Sequence, residues 1–84
     1  MNSFKTELFK ISFNPRPCLP FGAVIREHVT ITHVKSDRYL DFFSLAALCI
    51  EVDDMLQLGS IDATEAIKII RKSASFFILN GVTL

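Results

Sequence analysis

The chain predicts an α+β fold, a small antiparallel β-sheet packed on a C-terminal antiparallel helical hairpin, in the order strand, strand, helix, helix. Three observations lead there. Residues 23–35 are dense in β-branched side chains: Val24, Ile25, Val29, Thr30, Ile31, Thr32 and Val34. From Asp37 onward, apolar residues recur at helical spacing through two long segments. Between those segments, Gly59-Ser60-Ile61-Asp62 carries the signals of a helix stop followed by a helix start. Eighty-four residues make one domain, 1–84, with a single core. Half of them are hydrophobic and eight are Phe, which is core material and not the composition of a disordered chain.

The first strand is expected over residues 7–14, where Phe9, Ile11 and Phe13 alternate with Lys10, Ser12 and Asn14. Phe4, Leu8 and Ile11 are also spaced i, i+4, i+7, so a helix competes for this segment; Pro15, directly after it, favours the strand. Pro15 to Gly22 reads as a stiff loop. It contains Pro17-x-x-Pro20, the spacing polyproline-binding domains read, but Asn14 and Gly22 stand where a basic residue should flank it. A rigid connector is the better reading.

The second strand spans about 23–35, with Ile25, Val29 and Ile31 on one face and a bulge near Arg26-Glu27. Two strands alone are marginal in water, so helices must cover one face or a second subunit must extend the sheet.

The first helix is expected over 37–58, with Ser36 as N-cap and Asp37 in its first turn. Its polar stripe is thin (Asp37, Asp41, Ser44, Glu51, Asp54), and nearly everything else is apolar, which makes the helix central. Gly59 suits the left-handed position after it, and Asp62-Ala63-Thr64-Glu65 is a capping box opening the second helix, 62–79. Ala63, Ala66, Ile67, Ile70, Ala74, Phe77 and Ile78 form its expected core face. Ile69, Ser73 and Phe76 fall outside that face and are assigned to self-association in a homodimer.

Chemistry is sparse. His28 and His33 have four residues between them, within the histidine spacing of zinc sites, but opposite parity on a strand puts them on opposite faces, and Cys18 and Cys49 are remote in sequence, so no zinc site is expected. Whether the two cysteines pair is left open; both read most simply as reduced thiols. The glycines at 22, 59 and 81 mark turns and form no phosphate loop. No catalytic residue, metal ligand or cofactor is expected, and the chain is not expected to be an enzyme. The longest uncharged apolar stretch runs only from Phe42 to Ile50, far short of the roughly 20 residues that span a bilayer. With no secretory signal pattern at the N-terminus, a cytoplasmic protein without a membrane partner is expected.

Two surfaces remain as candidates. Glu51, Asp53 and Asp54 form an acidic knob, and Asp53 and Asp54 sit in the last turns of the helix, where the dipole disfavours negative charge by about 0.3–1 kcal/mol each. Such a local fault is more common where something binds, so this acidic knob is the candidate docking site for a partner protein. The alternative is a basic strand face (Lys10, Arg16, Arg26, Lys35, Arg38) that a dimer would present to nucleic acid. A formal net charge of zero weighs against phosphate contacts as the main source of affinity. The leading expectation is a small non-enzymatic protein-interaction module acting as adaptor, regulator or inhibitor.

Overall fold

A computed structural model describes residues 3–15 and 26–82. They form β1 (Ser3–Lys5), β2 (Phe9–Asn14), β3 (His28–His33), β4 (Tyr39–Phe42), α1 (Leu45–Gln57) and α2 (Ala63–Leu79). The strands make one antiparallel meander in the order β1-β2-β3-β4, with both helices on one face. The α+β class and the helical hairpin stand as expected; the sheet has four strands where two were expected.

The extra strands lie where the sequence carried a second, helical pattern. Phe4 and Ile11 are register partners across the β1–β2 hairpin, so their helical spacing is the spacing of two inward residues on neighbouring strands. Thr6 closes that hairpin: its backbone N–H donates to Phe9 O at 2.8 Å, and its hydroxyl accepts from the Phe9 N–H at 3.1 Å.

β4 replaces the first turns of the predicted helix. Asp37 has a left-handed φ of 61°, which no helix N-terminus contains, and the His33 N–H donates to Arg38 O at 2.7 Å across the turn. The chain then pairs with β3: Phe42 is buried opposite Val29, and the Thr30 hydroxyl donates to Asp41 Oδ1 at 2.6 Å. Aromatic, alternating Tyr39-Leu40-Asp41-Phe42 suits a pleated surface, and cross-strand pairing overrides a helical pattern this short. The helix N-cap is Ser44, whose hydroxyl accepts from Ala47 N–H at 3.3 Å.

Of the predicted strand 23–35, residues 28–33 pair. Its first part and the Pro-rich loop, with Arg16 and Cys18, fall in 16–25, outside the described residues. Glu27, just ahead of β3, is buried and partnered.

The core lies between sheet and hairpin. Ile11, Val29, Ile31 and Phe42 meet Leu48, Val52 and Met55 of α1 and Ala66, Ile69 and Phe77 of α2, while Ile61 seals the turn. The capping box forms as expected, with Glu65 N–H on Asp62 Oδ1 at 2.7 Å and Asp62 N–H on Glu65 Oε1 at 3.0 Å.

The buried face of α2 differs from the predicted one. Ile69 and Ser73 are fully buried, and Phe76 is half-buried with its ring 5.6 Å from Phe13. The flank assigned to self-association is therefore the face that packs on the chain's own sheet. Ile67 and Ile78, expected inside, are 50% and 59% exposed. The β1–β2 hairpin causes the turn: it places Phe4 and Phe13 beside α2, with Lys68 Nζ 4.7 Å above the Phe4 ring, and the helix rotates to cover them.

Candidate functional site

The β1–β2 and β3–β4 turns lie at the same end of the sheet, tied together by the Val34 N–H donating to Leu8 O at 2.9 Å. There the helices leave the inner sheet face partly uncovered. An open cleft of about 470 Å³ lies between the β3–β4 turn and α1. Ile31 is its buried member, Phe9 and His33 are half-buried beside it, and Leu40 opens it toward the β4 edge. Asp37, Arg38 and Tyr39 come from the turn and the start of β4, and Glu51 comes half-buried from α1.

Local chemistry fixes these groups. Phe9 and His33 are register partners at the ends of β2 and β3, with rings edge-on at 5.4 Å and 76°. The Ser36 hydroxyl lies 3.0 Å from His33 Nδ1, the distance of a nucleophile and its base. That same nitrogen also takes the backbone N–H of Ser36 at 3.3 Å, while the hydroxyl receives Arg38 N–H at 3.5 Å. These contacts close a turn. The left-handed Asp37 then reverses the chain and brings Arg38 back to the strand, at the mouth of the cleft.

The cleft thus combines an apolar wall (Phe9, Ile31, Leu40), a guanidinium (Arg38) and two carboxylates (Asp37, Glu51). Such a site can bury an apolar side chain and satisfy a cation beside it.

The residues singled out from sequence distribute unevenly. Glu51 lines the cleft; Asp53 and Asp54 are exposed on α1, with Asp53 Oδ2 accepting from Gln57 Nε2 at 2.9 Å. The basic set does not share one face. Arg38 lines the cleft, Lys35 is exposed in the turn, Arg26 is exposed ahead of β3, and Lys10 stands on the outer sheet face. Arg16 lies outside the described residues. Cys49 is a free, half-buried thiol.

Phe9, Ile31, His33, Tyr39 and Leu40 were not predicted as site residues. The alternation of Tyr39-Leu40-Asp41-Phe42 after a Ser36-Asp37 pair was the available signal for a hairpin. Among the described residues, no group of three or more His, Cys, Asp or Glu is placed to hold a metal ion, and no helix is long and apolar enough to cross a membrane. Comparison with known proteins returns no similarity: no family model, curated protein or solved structure matches this chain.

Proposed function

We propose that this is a small non-enzymatic protein-interaction module that takes an apolar segment flanked by basic residues, from a partner protein, into the cleft between the β3–β4 turn and α1. One observation carries the reading: the cleft is lined by the apolar residues Phe9, Ile31 and Leu40 together with two acids, Asp37 and Glu51, against one arginine, Arg38. The acidic end of α1 extends the same preference. Asp53 and Asp54 are exposed there, and the last turn of α1 has no basic residue to offset the negative end of its dipole. Charges so placed speed encounter with a basic partner more than they add affinity. The Ser36–His33 contact belongs to the turn, which supports recognition over catalysis.

Selection of random peptides displayed on phage tests this reading. Peptides with apolar residues beside Lys or Arg should be enriched on the wild-type protein and lost on Glu51→Lys and Leu40→Asp variants. Failure to enrich any such class, with folded protein on the support, would contradict it.

A second reading, as a nucleic-acid-binding regulator, has one observation in its favour. Lys5 and Lys10 are direct register partners on the outer sheet face, in one row with Thr32 and exposed Tyr39. Like charges directly opposed are destabilising unless an anion joins them. That reading requires single-stranded oligonucleotide binding that weakens steeply with salt and with Lys10→Ala.

A further inference from the structure

We infer that two copies of the chain pair antiparallel through their β4 strands, about a two-fold axis at Leu40, joining two four-stranded sheets into one of eight strands. The two edges of the sheet are treated differently by the sequence. β1 is three residues long and ends in Lys5, and Lys68 and Lys72 reach over its Phe4. Short length and lysine are common protections of an edge strand. β4 has no Lys, Pro or bulge; it exposes Tyr39 (64%) and Leu40 (55%), and among the described residues it pairs only with β3. An edge whose one charge, Asp41, is held by the Thr30 hydroxyl of its own sheet is a template for another strand.

The hydrogen-bond phase decides what that edge offers. The His33 N–H donates to Arg38 O, so 33 and 38 are a hydrogen-bonded pair. Hydrogen-bonded and non-bonded pairs alternate along an antiparallel ladder. Leu40 and Phe42, opposite Ile31 and Val29, therefore turn their backbone groups toward β3. Tyr39 and Asp41 turn theirs outward, to the open edge.

A second copy matches this pattern in reverse order. Residues directly opposite must share a sheet face, so a two-fold axis within the exposed part of β4 can pass at Tyr39, Leu40 or Asp41, and at Tyr39 it would set Asp37 of each copy opposite Asp41 of the other, a like-charge pair. At Asp41 the two carboxylates would face each other about 5.5 Å apart, Cα to Cα, a like-charge pair. With the axis at Leu40, Tyr39 of each copy lies opposite Asp41 of the other, and their outward groups exchange four main-chain hydrogen bonds. The two Leu40 side chains meet at the closer, non-hydrogen-bonded position. The interface is isologous and closes at two copies. Tyr39 and Leu40 also line the cleft, so pairing sets two clefts side by side whatever ligand they take.

Sedimentation equilibrium and register-specific cross-linking test this. The wild-type chain should sediment as a dimer. Leu40→Lys should raise the dimer dissociation constant about tenfold or more by opposing two cations. Tyr39→Pro, which removes an outward N–H and leaves the β3 ladder intact, should do the same. In a Cys18→Ser, Cys49→Ser background, Leu40→Cys should form a disulfide dimer on mild oxidation and Asp41→Cys should not. A wild-type monomer at every concentration would overturn the inference. So would a dimer that tolerates both edge variants while circular dichroism shows them folded, or cross-linking through Asp41→Cys alone.

Discussion

The hydroxyl of Ser73 is fully buried and has no hydrogen-bond partner among the described residues. A buried, unsatisfied hydroxyl costs about 1–3 kcal/mol, whereas removing it costs only a little packing. Ser73→Ala should therefore raise stability by about 1 kcal/mol, read as a higher urea midpoint at unchanged slope. A lower midpoint would mean that the hydroxyl has a partner in solution. Sequence polarity misplaced this residue, because a lone serine on a helix is indistinguishable from a surface one until its neighbours are known. Asp37 is a similar case. As a first-turn acid it looked ideal for a helix, yet its left-handed φ of 61° makes it the pivot of a hairpin. Asp37→Gly should be tolerated, gaining up to about 1 kcal/mol from relief of the backbone; a loss of that size would show that the side chain itself holds the turn.

At the scale of elements, what was legible depended on where the determining interactions lie. α2 and its cap were readable because the capping box, the apolar period and Gly59 are all local. β1 and β4 are three and four residues long and owe their conformation to the strands beside them, so local pattern left them ambiguous. That omission then misdirected the orientation of α2. Without β1 and its Phe4 beside Phe13, the flank Ile69–Ser73–Phe76 had nothing to cover it and was read as a contact between subunits. Phe76 now tests the orientation. Because its ring packs on Phe13 and Phe77, Phe76→Ala should cost roughly 2–4 kcal/mol in the folded chain, a little below the full-burial range since it is half-buried. A loss near zero would return that flank to the surface. Asp62→Ala, removing one arm of the capping box, should cost about 1 kcal/mol by the same assay.

Over the whole molecule, charge of both signs is spread across the surfaces. α1 carries exposed Asp53 and Asp54, α2 carries exposed Lys68, Arg71 and Lys72, the outer sheet face carries Lys5, Lys10 and Asp41, and the cleft has both Glu51 and Arg38 in its walls. Glu51 and Arg38, read from the sequence as parts of two opposed surfaces, thus meet in one site, which no linear pattern could show, since the β3–β4 turn brings Arg38 toward a residue more than ten positions away. Reversing charge at Asp53 and Asp54 to Lys should slow association with a basic peptide and leave thermal stability nearly unchanged, with the difference shrinking at high salt. A partner bound in the cleft must perturb the residues that line it. Titration of the ¹⁵N-labelled protein with a selected apolar-basic peptide, followed by amide chemical shifts, tests it most directly. Shifts should concentrate at Phe9, Ile31, His33, Arg38 to Leu40 and Glu51. Shifts confined to the outer face, around Lys5, Lys10 and Thr32, would contradict it.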